Sequence, residues 1–292
     1  MDHFTPIDLD VLSRHGAVDL ALYEHTIAKL GVWGYFENEG VALKGHFGYS
    51  GGGHGDAYIN IRDLKTVAQL CVVAMQMAWE CRDEKIDAFV GTPHGADTLA
   101  TLVAYYYTKF TGGRAVEVLK PLKLQNDVNA LANFVAWYNT KFTDGRAIEV
   151  LKPLLKFHNG LVWYKDHGDR IRGKRTMQVE DVINSAKSLR ETADFIISSF
   201  GNFVGFIAAC NRISEKNPGL TALKDEYCIE FAQALTDVVA TNYSMDLSRD
   251  PREQCPLCKD GIPIDTRVGH GKKFLADIQD TYPDLYEKLS RP

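Results

Sequence analysis

A chain of 292 residues can bury a sizeable core in one large domain or two smaller ones. Hydrophobic residues make up 45% and charged residues 24%, and the net charge of −5 argues against a generic nucleic-acid binder, which is usually basic. The longest uncharged run, Phe195–Asn211, is interrupted by Ser198, Ser199, Gly201 and Asn202 and falls short of the ~20 apolar residues a membrane-spanning helix needs.

The opening Met1–Pro6 has neither a basic start nor an apolar stretch. Cys71, Cys81, Cys210 and Cys228 are scattered in apolar contexts, as reduced core thiols are. The expectation is a cytoplasmic protein with no membrane or nucleic-acid partner.

In chain order, Asp19 is placed to cap a helix that carries Leu20, Tyr23, Ile27 and Leu30 on one face, broken at Gly31 and Gly34. Val41–Asp63 reads as a hairpin whose glycine-rich turn holds His46 and His54. Ser50, His54 and Tyr58 frame the turn, which is either ligand-facing or a flexible tip. Lys65–Cys81 is a helix with Leu70, Ala74, Met77 and Cys81 at helical spacing. Ile86–Gly91 is a short apolar strand. The small-residue loop Thr92-Pro93-His94-Gly95-Ala96 leads into a helix with Leu99, Leu102, Val103 and Tyr106 on one face. Parallel sheets bind ligands at the carboxyl ends of their strands, so Thr92, Pro93 and His94 are candidate contacts. His94 can equally be an ordinary loop histidine.

An internal repeat follows. Thr108–Leu122 and Thr140–Leu154 differ only at Gly112/Asp144 and Val116/Ile148, at an offset of 32 residues. With the corresponding Tyr106 and Tyr138, the copies span about 106–122 and 138–154. Two copies are too few for a solenoid, so the repeat reads as a duplicated helix-turn-strand unit inserted in a parent fold. Each copy ends in a strand, Ala115–Leu119 or Ala147–Leu151, and either can occupy the parent strand's place.

Leu161–Asp169 reads as a short strand running into a charged mobile loop, with Arg170, Arg172, Lys174 and Arg175 close behind. Thr176–Ser188 then combines a strand, the acidic pair Glu180-Asp181, a loop of small and polar residues, and a helix start. Free N–H groups at a helix start bind phosphate, and the acids can hold ribose hydroxyls or a magnesium ion. The helix shows Leu189, Ala193, Ile196 and Phe200 on one face. Asn202–Cys210 is a buried strand, and Val204–Ala209 and Tyr227–Phe231 look like successive strands of one sheet. The alternation predicts an α/β fold over residues 1–240, with 241–292 as a tail packed on the same domain. The tail carries Cys255-Pro256-Leu257-Cys258 and Gly269-His270-Gly271. Zinc takes four ligands, of which Cys255, Cys258 and His270 offer three; a reduced thiol pair is the alternative.

Val179–Ser188 resembles the phosphoribosyl-pyrophosphate motif of type I phosphoribosyltransferases. Tyr49–Tyr58 is similar to the early hairpin of the orotate enzymes, and Gly91–Gly95 stands where that family carries its pyrophosphate loop. Lys165-Asp166-His167-Gly168 matches the end of the family's mobile catalytic loop, and the tail resembles that of orotate-phosphoribosyltransferase-like bacterial proteins. The resemblance covers about Val41–Phe274 apart from the duplication. It implies a parallel sheet flanked by helices, a small hood, and a homodimer. It implies transfer of ribose 5-phosphate from phosphoribosyl pyrophosphate to a nucleobase, orotate favoured. Glu180 and Asp181 would hold the ribose hydroxyls and help place Mg2+. Asn184, Ser185, Ala186, Lys187 and Ser188 would cradle the 5-phosphate, and Lys165 and His167 would close over the pyrophosphate. A non-catalytic relative that binds such a ligand is the alternative. Departures are Ala186 for the usual glycine, Lys187 for a hydroxyl residue, and Pro93-His94 for Tyr-Lys.

Overall fold

The computed structural model describes residues 7, 20–49, 53–61, 64, 66–92, 96–112, 117–119, 163, 165–184, 186–212, 218–238, 242–243 and 245–291. In chain order these form α1 (Leu20–His25), α2 (Ile27–Asn38), β1 (Ala42–Gly48), β2 (His54–Ile59), α3 (Val67–Glu80), β3 (Ala88–Gly91), α4 (Ala96–Phe110) and β4 (Glu117–Leu119). There follow α5 (Lys165–Ile171), β5 (Arg175–Ile183), α6 (Lys187–Ser198), β6 (Asn202–Asn211), α7 (Pro218–Glu226) and β7 (Phe231–Asp237). The last elements are β8 (Asn242–Tyr243), α8 (Pro251–Gln254), α9 (Pro256–Lys259), β9 (Ile264–Asp265), α10 (Gly271–Ile278) and α11 (Pro283–Leu289). No described helix is long and apolar enough to cross a membrane.

The chain divides into two compact units, Met1–Tyr35 with Leu64–Asp237, and Phe36–Asp63 with Val238–Pro292. The tail groups with the hairpin in the second unit.

The first unit is built on a five-stranded parallel sheet of order β4-β3-β5-β6-β7. Its central strands are buried almost without interruption, as parallel strands covered by helices must be. The helix α3 starts at a capping box, in which Gln69 N–H donates to Thr66 Oγ1 and Thr66 N–H to Gln69 Oε1. Its residues Val72, Val73, Met75, Met77 and Ala78 are all fully buried, so this helix is apolar around most of its circumference. It packs on α4 and β6, while α4 lies against β3 and β5 and α6 against β5 and β6. The first copy of the repeat supplies the strand beside β3, with Val118 opposite Phe89. The second copy lies outside the described residues.

Several sequence expectations shift. Gly31 kinks the first helical segment with a φ of 74°, yet the helix resumes through Gly34 to Asn38. Tyr23 and Ile27 are fully buried, but Leu30 is exposed. Phe200, expected on the buried face of α6, lies beyond its end with a positive φ and stacks under the Arg172 guanidinium. The segment Tyr227–Glu230 is the turn before β7 rather than a strand. The loop expected at 165–168 is the helix α5.

The second unit holds a four-stranded sheet of order β8-β2-β1-β9, in which β1 and β2 form the expected antiparallel hairpin. The final strand β9 runs parallel to β1.

One position tests the parallel sheet directly. Gly205 in β6 has a φ of +142°, and a Cβ there would meet the Phe231 carbonyl oxygen of β7 at 1.8 Å. Gly205→Ala is expected to cost about 3 kcal/mol or more, or to abolish folding, in chemical denaturation.

Candidate functional site

The strand order places the site. From β3 the chain moves to β4 on one side, and later returns on the other side with β5, β6 and β7. The crevice at the carboxyl ends of β3 and β5 is therefore the switch point of the sheet, where open α/β folds bind ligands. The register aligns Gly91 with Val179, so Thr92 lies beside Glu180 as the two strands end.

Glu180 is 3% exposed and held on both oxygens. Thr92 Oγ1 donates to Oε2 at 2.5 Å, and Gln178 Nε2 donates to Oε1 at 2.7 Å. Gln178 Nε2 also reaches the Ser188 carbonyl at 3.3 Å, tying the strand to the first turn of α6. Burial, reinforced by the neighbouring Asp181 charge, pushes the Glu180 carboxyl up to about 8, against the pull of hydrogen bonds from Thr92, Ser188 and Gln178. Asp181 is partly exposed, and its Oδ1 accepts the Val182 N–H at 2.8 Å. Neighbouring strand residues point to opposite faces, so the two acids are not equivalent.

The chain then turns into α6. Ala186 sits at the helix N-cap with φ 56° and ψ 8°, the left-handed conformation that glycine adopts without strain. With only a methyl group it cannot cap the helix, which leaves the first-turn N–H groups of α6 without the side-chain acceptor an N-cap normally supplies. Asn184 is exposed before the turn, and Lys187 extends along the helix to Glu191 at 3.6 Å. Thr92, Glu180, Asp181, Asn184, Ala186, Lys187 and Ser188 are thus gathered at one edge of the sheet. Ser50, Pro93, His94 and Ser185 lie outside the described residues.

No protein-family model matches the chain. A curated orotate phosphoribosyltransferase of Caldanaerobacter subterraneus subsp. tengcongensis is 23% identical over 230 residues, covering 78% of this chain and 91% of that protein. One from Thermoanaerobacter sp. strain X514 is also 23% identical over 230 residues. The chain resembles the type I phosphoribosyltransferases, the orotate enzymes among them. A crystal structure of an orotate phosphoribosyltransferase from Francisella tularensis is 14% identical, with 84% of this chain and 96% of that chain covered and a TM-score of 0.46.

The two residues expected over the pyrophosphate, Lys165 and His167, both fall in α5. His167 is fully buried within α5, its ring 6.2 Å from that of Trp163, and is not on an open loop. The next residue, Gly168, lies against Ser199 at the C-terminal end of α6. A 12-residue helix is roughly 18 Å long, so α5 sits at the opposite end of α6 from the Ala186 turn. The structure does not bring His167 to the acidic pair, and Lys165 opens the same short helix.

A second constellation lies within the hairpin–tail unit. His46, His54, Cys255 and Cys258 are all buried, and their donor atoms fall within 4.8 Å of one another. His270, the third ligand expected from sequence, is exposed at the start of α10. Its backbone N–H instead donates to the Gly48 carbonyl at 2.8 Å. Tyr58, expected near a ligand, has its ring 5.6 Å from that of Phe47. Sequence reading missed Gln178 and the pairing of His46 with His54. The hairpin register was the usable signal for the latter: His54 lies opposite Gly48, and His46, two residues from Gly48, shares its face.

Glu180 makes the pH response specific. Its folded pKa lies above the ordinary glutamate value, so its stabilising contribution is complete below that value and is lost as pH rises through about 8. The ligand-free protein is expected to lose up to a few kcal/mol between about pH 5 and pH 8.5 in pH-dependent melts, and Glu180→Gln to flatten that slope. Ala186→Gly is expected to gain up to about 1 kcal/mol by releasing the left-handed strain, whereas alanine-to-glycine changes inside helices cost about 1 kcal/mol. Equilibrium denaturation measures the difference.

Proposed function

We propose that the chain transfers ribose 5-phosphate from phosphoribosyl pyrophosphate to a ring nitrogen of a nucleobase, with orotate the favoured acceptor, releasing pyrophosphate. The observation that carries this reading is the acidic pair at the switch point, followed by a left-handed turn into an uncapped helix start. That order suits a sugar phosphate. The N–H groups opening α6 receive the 5-phosphate, because a helix start gathers unpaired donors and the positive end of the helix dipole. Asp181, the more exposed acid, meets the ribose hydroxyls. Glu180, already bound on both oxygens, positions the strand end and the loop.

The reaction builds negative charge on the departing pyrophosphate and positive charge on the ribose ring, so fixed charges placed in advance supply most of the catalysis. The carboxylate of Asp181 faces the ring charge. Hard oxygen donors suit Mg2+, which would be held through Asp181 and the substrate's own oxygens and would offset the pyrophosphate charge. We extend the reading to a soluble homodimer on the same family resemblance.

One observation favours a second reading. His167 is buried in α5, whose Gly168 lies against Ser199 at the far end of α6, and so is not beside the acidic pair. A protein that binds the phosphoribosyl ligand without turning it over, and regulates a partner, fits that arrangement.

Pyrophosphate release from phosphoribosyl pyrophosphate with Mg2+ and a panel of bases separates the two. The transferase reading expects release with orotate above all, and a loss of about 100-fold or more for Asp181→Asn at an unchanged melting temperature. Calorimetric binding of the sugar without turnover for any base would replace it with the regulator.

A further inference from the structure

We propose that His46, His54, Cys255 and Cys258 bind one zinc ion per chain, and that the ion is a structural pin between the β1–β2 hairpin and the 238–292 segment. This site is independent of the reaction proposed above.

The donor geometry is that of a tetrahedral ion's shell. His46 Nε2 and His54 Nδ1 are 3.2 Å apart. Cys258 Sγ is 3.7 Å from the first and 3.5 Å from the second, and Cys255 Sγ is 3.8 Å from His46 Nε2. Zinc–nitrogen bonds of about 2.0–2.1 Å and zinc–sulfur bonds of about 2.3 Å give a tetrahedron with edges of roughly 3.3 Å between nitrogens and roughly 3.6 Å from nitrogen to sulfur.

Proton placement points the same way. His46 Nδ1 lies 2.8 Å from the Ile262 carbonyl, an acceptor only, so Nδ1 carries the proton and Nε2 turns a bare lone pair to the cluster. That lone pair faces His54 Nδ1. The other nitrogen of His54, Nε2, is buried beside the Phe274 ring with no hydrogen-bond partner. Two imidazole nitrogens and two sulfurs thus converge in one buried cluster. A cation at their centre answers every lone pair at once and sets the His54 proton on Nε2. Two thiolates with two imidazoles in a tetrahedral set select zinc, and four protein ligands leave no open position, which makes the site structural.

The fold has a use for such a pin. Cys255 is the N-cap of the short helix α9 and Cys258 lies within it, and the two histidines share one face of the hairpin, with His54 and Cys258 separated by 204 positions in the chain. The apolar cluster around them is small, built from Ile264, Phe274, Leu275, Ile278, Leu285 and Leu289 with the two cysteines. Small units with modest cores commonly rely on a metal or a disulfide.

The test uses the full chain purified without chelator. Elemental analysis is expected to find about one zinc per chain. The Co2+-substituted protein is expected to show thiolate-to-cobalt charge transfer and intense tetrahedral visible bands. His46→Ala and Cys258→Ser are expected to lose the metal, while His270→Ala retains it. Chelation is expected to expose 238–292 to limited proteolysis. Absence of zinc together with failure of the apoprotein to take up Zn2+ or Co2+ would overturn the proposal, as would a Cys255–Cys258 disulfide in the fresh protein. Because these readings come from the unmutated chain, they stand even where a cysteine variant does not fold.

Discussion

The larger unit is arranged around a carboxyl group with almost no access to water. Burying Glu180 is tolerable because neighbours meet its oxygens, among them Thr92 from the end of β3 and Gln178 from the same face of β5. The Thr92 contact depends on register, since a shift of one residue between β3 and β5 would move Thr92 away, whereas Gln178 and Glu180 share one face of the same strand. The pairing of two parallel strands thus fixes where the acidic pair ends up, and the order β4-β3-β5 makes that place the crevice of the sheet.

From that carboxyl the constraint passes to the loop. Gln178 bonds both Glu180 and the Ser188 carbonyl, so the side chain that steadies the acid also holds the first turn of α6. Ala186 keeps a left-handed backbone although its methyl group disfavours it, which shows the turn is set by its surroundings and not by local preference. The adjacent acids consequently divide their work. Glu180 is buried and tied to the loop, and Asp181 is the more exposed of the two.

Much of this was legible in the sequence. The strand-acid-loop-helix order at 176–188 and the apolar periodicity of Leu99, Leu102, Val103 and Tyr106 each depend on local spacing, and local spacing survives folding. What failed depended on distant partners. His167 was expected to close over the pyrophosphate, and its burial beside Trp163 is a tertiary event that local spacing does not carry. His270 looked like a metal ligand because it was the nearest histidine in sequence to the cysteines. The two that converge on them come from a hairpin about 200 positions earlier, and only sheet pairing brings them there. Phe200 fitted the helical period, but the helix had already ended at Ser198.

The duplication is explained by where it falls. The first copy provides β4, which occupies the outer position of the parallel sheet, with β3 as its neighbour. Extra chain entering after an edge strand need not part any pair of inner strands. The β3–β5 register that positions Thr92 against Glu180 is unaffected by the length of the connection between β4 and α5. The same insertion between β5 and α6 would separate Gln178 from Ser188 and dismantle the site. Tolerance of the repeat therefore follows from the same strand order that creates the crevice.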